Sequence, residues 1–280
     1  MRDISFSTVG FMDRGMEEAL NAVAEAGFTQ TEILGQDPHM DDAPTGRALS
    51  EFRARLEARG LRVRTVHAPM KRNVLGAPDE DWRREKVRVS SRFIEFAGEV
   101  GAGEVVIHPV PNPMFVADAD DPSVPGRIRD AVPRSLDEIV PVAQAAGVRI
   151  TLENLPYHCD YPFLTMRELR PVVDAYPEDG LGLVIDTGHA WTMKNDPVEE
   201  IRAAGSRLCG THLQDVDYDE PDDDHWVPTH GDLNWDSIRA AFVEIEYAGP
   251  WTFECYVPRH GESLEELARI THGVAESWGL

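Results

Sequence analysis

Four apolar runs in this chain each end on a side chain suited to holding a metal. They are RITLEN around Glu153, LGLVIDTGH around Asp186 and His189, LCGTHLQD around His212, and WTFECY around Glu254. Each run reads as a buried strand with its ionisable residue at the C-terminal end. Burying such a group is costly unless it is paired or metal-bound. A fold that accepts this sequence must therefore bring successive strand ends to one place, where the groups satisfy one another or share a cation.

The rest of the chain supplies such a fold. Strand-like runs occur at ISFSTV (4–9), TQTEIL (29–34), RVRTVH (62–67), EVVIHP (104–109), RITLEN (149–154), LGLVID (181–186), LCGTHL (208–213) and WTFECY (251–256). Helical patterns alternate with them over Met16–Ala26, Ala48–Arg59, Trp82–Val100, Arg127–Ala146, Thr165–Ala175, Pro197–Ala204, Trp235–Tyr247 and Ser263–Ser277. Gly27, Gly60, Gly101 and Gly147 follow four of these helices, where glycine is the favoured stop. Eight strands alternating with eight helices predict a (β/α)8 TIM barrel, an α/β fold, spanning 1–280 as a single domain. The alternative is an open doubly wound sheet. No GxGxxG follows the first strand and no P-loop motif occurs, so no nucleotide cofactor is expected.

The longest irregular stretches are Pro109–Gly126, Leu155–Pro162 and Asp215–Asn234. All three follow strands, on the side where barrel enzymes build their sites. His67 and His108 end the third and fourth strands, and Glu153, Asp186, His212 and Glu254 end the last four. His189 follows Asp186 closely, and Asp223 and His225 lie in the loop after the seventh strand. Mixed carboxylate and imidazole donors suit one divalent ion of manganese, zinc, cobalt or magnesium.

Charge limits the partners. The chain has 27 Lys and Arg against 50 Asp and Glu, a formal net charge of -23. Its only lysines are Lys71, Lys86 and Lys194, and Asp215–Asp224 is strongly acidic. Such a surface repels nucleic acid and anionic membrane, so neither is an expected partner. The three cysteines are scattered, no signal-peptide core opens the chain, and no apolar run is long enough to span a membrane. These features suit a reducing cytoplasm.

The motifs VHAP (66–69), VIHP (106–109), LEN (152–154), IDTGH (185–189), THLQD (211–215), DDHWVPTHGDLNW (223–235) and FECY (253–256) give the chain a specific resemblance. It resembles, over nearly its whole length, the xylose isomerase-like TIM barrel superfamily. This is the sugar phosphate isomerase/epimerase group, related in fold to endonuclease IV. The resemblance implies a metal held by Glu153, Asp186, His212 and Glu254, a sugar or polyol substrate, and a homo-oligomer as one form open to the chain. Two departures set it off from ketose 3-epimerases. Cys159 stands where those enzymes carry a second glutamate, and no arginine follows His212 closely. The glycine pair usual in the loop after the seventh strand reads Thr229-His230-Gly231 here.

The expected chemistry is isomerisation or epimerisation of a sugar or keto-polyol by proton transfer through a metal-stabilised enediolate. Glu153 and Glu254 act as acid and base, while His67, His108, His189, Asp223 and His225 contact substrate. Trp191, Trp226, Phe11 and Tyr256 are candidates to wall the pocket, and Lys71, Arg72 and Arg259 are candidates to meet a phosphate. A lyase or dehydratase acting on a related keto-polyol would need the same groups. The resemblance to endonuclease IV implies a second alternative, a phosphodiesterase with three metals. The nine positions His67, His108, Glu153, Asp186, His189, His212, Asp223, His225 and Glu254 all carry suitable residues for it.

Overall fold

The computed structural model describes residues 3–72 and 74–280. Eight short strands are named in chain order: β1 (Ile4–Ser7), β2 (Gln30–Leu34), β3 (Arg62–His67), β4 (Glu104–Ile107), β5 (Arg149–Glu153), β6 (Leu181–Asp186), β7 (Leu208–His212) and β8 (Trp251–Phe253). All pair in parallel, in the order β7-β6-β5-β4-β3-β2-β1-β8. The remaining gap is bridged just past β7, where Leu213 N donates to Thr252 O at 2.8 Å and Glu254 N donates to Leu213 O at 3.2 Å. The sheet is thus a nearly closed (β/α)8 barrel, as the alternation of runs predicts.

Helices α1 (Met16–Glu25), α2 (Gly46–Glu57), α3 (Glu80–Val100), α4 (Val124–Ala146) and α5 (Met166–Val173) follow the first five strands. After β6 come α6 (Thr187–Thr192) and α7 (Pro197–Ala204), then α8 (Trp235–Glu244) after β7 and α9 (Leu264–Ser277) after β8. Among the described residues, the short α6 is the one α-helix the sequence pattern does not predict. It is too brief for an amphipathic period, and it begins because the Asp186 side chain caps it, accepting from His189 N at 2.7 Å. Gly101 and Gly147 end α3 and α4 in the left-handed region, at φ 80° and 70°.

Alternate residues of a strand face opposite sides, and this decides what meets at the mouth. Phe6, Val66, Val105, Ile107, Ile150, Leu152, Leu183, Ile185 and Phe253 belong to the apolar core under the helices. The intervening positions, among them Ser7, Thr65, His67, Thr151, Glu153, Asp186 and Glu254, are buried polar residues. The ligand-type side chains therefore point into the barrel because their neighbours are needed outside it.

The long loop from β7 to α8 is organised by one buried carboxylate. Asp215 accepts hydrogen bonds from Val216 N, Thr229 N, Leu233 N and Trp235 Nε1, at 2.7 to 3.0 Å. Asp215 and Trp226 also form an antiparallel bridge. This is why THLQD and GDLNW occur together: the aspartate of the first motif satisfies the backbone and indole of the second. A side chain at Gly231 would overlap the Asp215 carboxylate. Thr229 sits at φ 77°, a left-handed conformation costly for a β-branched residue. Gly231→Ala is expected to destabilise by about 2 kcal/mol or more through that overlap. Thr229→Gly is expected to be neutral or to stabilise by up to about 1 kcal/mol as strain is released against added chain entropy. Urea unfolding of the two variants checks both signs.

Candidate metal centre

The metal-type side chains converge at the C-terminal mouth. Donor atoms of Glu153, Asp186, His212 and Glu254 all lie within 4.8 Å of one another, and all four residues are buried. His212 Nδ1 is 2.9 Å from Glu153 Oε1 and 3.5 Å from Glu254 Oε2. Its other nitrogen, Nε2, is 3.2 Å from Glu32 Oε2. Glu32 in turn accepts from Ser7 Oγ at 2.9 Å and Thr65 Oγ1 at 2.8 Å. A carboxylate on the far nitrogen fixes the ring orientation and tautomer of a metal-binding histidine. The buried Asp186 Oδ2 has no hydrogen-bond partner among the described residues, and Glu153 Oε2 has only the His67 and His108 Nε2 atoms, at 3.4 and 3.3 Å. Buried oxygens so weakly satisfied beside an imidazole fit a divalent cation, and these four residues could hold one, as could the overlapping sets His67, Glu153, His212 and Asp186, His189, His225.

Two further donor sets flank this one. His67 Nε2 and His108 Nε2 lie 3.4 and 3.3 Å from Glu153 Oε2. On the other side, His189 Nε2 and His225 Nε2 lie 3.1 and 2.9 Å from Asp223 Oδ1. Backbone carbonyls aim these rings: His67 Nδ1 pairs with Ala68 O, His189 Nδ1 with Asn154 O and His225 Nδ1 with Glu254 O, at 2.8 to 2.9 Å.

Three residues outside the sequence expectation hold the frame. Glu32 lies inside β2 rather than at a strand end, and its signal was a charge within an otherwise strand-like run. The Asn154 side chain makes two bonds to the Asp186 backbone, to N at 2.8 Å and from its own amide to O at 2.9 Å. This locks the ends of β5 and β6 together. Gln214 donates to Asp186 Oδ1 at 3.0 Å and accepts from His225 N at 2.8 Å. It occupies the space where a side chain at Gly188 would stand, which accounts for the glycine in IDTGH.

Electrostatics divide the carboxylates. Burial alone would raise Glu153, but the imidazoles of His212, His108 and His67 overcome it and hold the group well below the usual range. Burial raises Glu254 and Asp186, with neighbouring imidazoles opposing it only in part. Burial would lower His225, yet Asp223, Glu254 and Asp186 bring it up to about 9. His189 is raised well above its usual value against the same burial, by Asp186, Asp223 and Glu153.

Above the centre lies a cavity of about 570 Å³, within the range of small-molecule sites. Seven of the nine expected residues line it, while Asp186 and His212 lie beneath. Tyr256 lines it as expected and stacks on His225, with ring centroids 4.2 Å apart. The other expected aromatics sit elsewhere: Trp191 packs on Tyr218, Trp226 lies under Arg259, and Phe11 is in the core. Their places are taken by Phe115 and Tyr157. Among the cation candidates only Lys71 reaches the cavity, and Arg72 lies over Trp82 instead. Cys159 is not among the lining residues.

A nearly closed barrel with a mixed carboxylate and imidazole centre at its mouth defines the class of protein. The chain belongs to the xylose isomerase-like TIM barrel family, whose model matches residues 20–273. It is 23% identical over 266 residues to a D-psicose 3-epimerase of Ruminiclostridium cellulolyticum, covering 92% of this chain and 85% of that one. It is 28% identical over 209 residues to a probable endonuclease 4 of Mycobacterium leprae, covering 71% and 73%. The solved structure of a D-tagatose 3-epimerase-like protein superposes with a TM-score of 0.80 at 22% identity, covering 99% of this chain and 100% of that one.

The flanking histidines make the metal-free protein sensitive to pH. His225 titrates near 9 when folded and near 6.5 when unfolded. Its raised value stabilises the fold fully below about pH 6.5, and that contribution is lost as pH rises through 9. Its size is of order 3 kcal/mol. Thermal melts of the chelator-treated protein should fall between pH 6 and 9, and Asp223→Asn should flatten that fall.

Proposed function

We propose that the protein is a divalent-metal-dependent isomerase or epimerase acting on a sugar or keto-polyol. The observation that carries this reading is the placement of Glu153 and Glu254. They come from different strands, share one centre, and both face a cavity sized for a small molecule. Their environments push their proton affinities apart, the arrangement expected of an acid and base pair. Glu153, held ionised, takes a proton from the carbon next to the substrate carbonyl. The bonding pair moves into the carbon–carbon bond, and charge develops on the carbonyl oxygen. Glu254 holds the proton that is returned, at the other face of that carbon or at its neighbour. A divalent cation bound by Glu153, Asp186, His212 and Glu254 supplies Lewis-acid stabilisation of the developing charge.

The wall residues orient the substrate. His189 and His108 border the cavity, and His189, with Nδ1 on the Asn154 carbonyl and Nε2 on Asp223, fixes the Asp223 carboxylate, which can accept from a substrate hydroxyl. Tyr256, Phe115 and Tyr157 give a partly apolar wall against which a carbon skeleton can lie. Cys159 offers no carboxylate to a ketose, so the substrate is held differently from that of the ketose 3-epimerases. With Lys71 the one lysine or arginine lining the cavity among the described residues, phosphate backbone contacts, which need several cations, are poorly provided for.

One observation favours a second reading. The paired imidazoles on Glu153 and on Asp223 supply donors for two more metals, the arrangement a phosphoester hydrolase would use to activate water. Metal content separates the two. The proton-transfer reading expects one ion per chain at Glu153, Asp186, His212 and Glu254, and deuterium uptake from D2O into a panel of keto-sugars and inositol-derived ketones. Glu153→Gln, which removes the base, should lower that exchange by at least about 100-fold. Three ions in this centre, with phosphodiester cleavage and no exchange, would sink the proposal.

A further inference from the structure

Outside the cavity, a second group of side chains has the composition and spacing of a metal site. His230 lies in the loop between β7 and α8. His260 and Glu262 lie in the segment between β8 and α9. Donor atoms of the three are within 4.8 Å of one another, and the two imidazole rings face each other with centroids 5.2 Å apart.

The closest pair carries the argument. His230 Nδ1 is 3.5 Å from Glu262 Oε1. It is a sheltered nitrogen with no hydrogen-bond partner among the described residues. That separation is long for a hydrogen bond. It is the separation expected of two ligands on one tetrahedral ion, since bonds of about 2.1 Å at the tetrahedral angle place ligands about 3.4 Å apart. The other carboxylate oxygen is already used, because Glu262 Oε2 accepts from His260 N at 2.8 Å. This bond holds the carboxylate so that Oε1 is the atom presented to His230.

Among the described residues, no lysine or arginine pairs with the carboxylate. Among the described residues, the one ion-pair partner of Glu262 is His230. The nearby Arg259 is engaged elsewhere, donating to the His230 carbonyl and covering the Trp226 ring at 4.1 Å. The side chains of Glu262 and His230 are 13% and 20% exposed, while His260 is exposed. Two ligands are thus preset and half-buried, and the third is free to swing in.

We propose that His230, His260 and Glu262 form a separate site for a zinc-class ion at the rim of the barrel. Two imidazoles and one carboxylate suit zinc, with nickel, cobalt and copper as related occupants, and water completes the tetrahedron. The carboxylate-rich centre in the barrel accepts a harder ion as well. The rim ion would cross-link the loop that carries Asp223 and His225 to the segment that follows Glu254 and Tyr256. It would therefore brace both sides of the cavity mouth while taking no part in the chemistry.

The test compares zinc content. Wild-type protein, His260→Ala and Glu262→Gln are stripped with chelator, reloaded with micromolar zinc, desalted and analysed for metal per chain. Each variant should hold one zinc fewer than wild type, with metal-free circular dichroism melts unchanged. Crystals of the wild type grown with zinc should show a zinc-edge anomalous peak between His230 Nδ1 and Glu262 Oε1. Equal zinc content in all three proteins overturns the proposal. So does a map with the barrel centre filled and the rim empty, or a rim peak seen only at millimolar zinc, which would be an adventitious ion only. The barrel centre keeps its ion in both variants, so failure here is distinct from failure of the catalytic reading.

Discussion

The fold is built around concentrated negative charge in a place that excludes water. Glu32, Glu153, Asp186 and Glu254 are all buried at one end of the barrel. Bringing carboxylates together without compensation costs several kcal/mol each. The first compensation is His212, whose two nitrogens reach Glu32 on one side and Glu153 and Glu254 on the other. The second is the hydroxyl pair Ser7 and Thr65 beneath Glu32. What they leave is Asp186 Oδ2, without a partner among the described residues, and Glu153 Oε2, met only by the His67 and His108 nitrogens at 3.4 and 3.3 Å, and these are what a cation would complete. The strands are short because their task is to end together at this point, and the β7–α8 loop is long because Asp223 and His225 must fold back over it.

Much of this can be read from the residues before the structure is seen. A charged residue closing an apolar run is conspicuous because burial is otherwise so costly, and Glu153, Asp186, His212 and Glu254 all stand at such places. The strand bounds agree to within a few residues for the same reason. Glu32 is less visible. It lies within β2, where a charge in the middle of TQTEIL can as well be an exposed edge residue. Asn154 and Gln214 are harder still, since an amide beside a ligand carries no pattern of its own. Their roles appear only when the Asp186 backbone and the His225 amide are seen to depend on them. The aromatic wall fails as a reading for a different cause. Trp191 and Trp226 follow strand ends in sequence, but the packing of Tyr218 and Arg259 turns them away.

The loops carry the specificity and are also where strain is stored. Thr229 adopts a glycine-like conformation so that its amide can reach Asp215. The same turn sets His230 beside Glu262. One buried aspartate therefore fixes both the path of the segment bearing Asp223 and His225 and the geometry of the rim. A barrel tolerates such arrangements because the strands beneath are over-determined by packing, leaving the loops free to differ between relatives with different chemistry.

The choice between one metal and three comes down to a contest between protons and cations. His189 and His225 share the Asp223 carboxylate, and His225 titrates near 9 in the metal-free protein. At pH 7 a cation entering that set must first displace a proton held by about two pH units, which costs about 3 kcal/mol. The central set holds a proton as well, since Glu254, Glu32 and Glu153 raise His212 well above its usual value against burial, while Glu153 itself is kept ionised. Near neutral pH both sets therefore favour protonated imidazoles, and the Asp223 set is the one in which two rings share a single carboxylate oxygen. In that state the imidazole hydrogens of His189 and His225 are spent on the Asn154 and Glu254 carbonyls and on Asp223 Oδ1, and a hydroxylated substrate meets a fixed wall around one ion. A hydrolase with three metals would have to remove those protons before it could work.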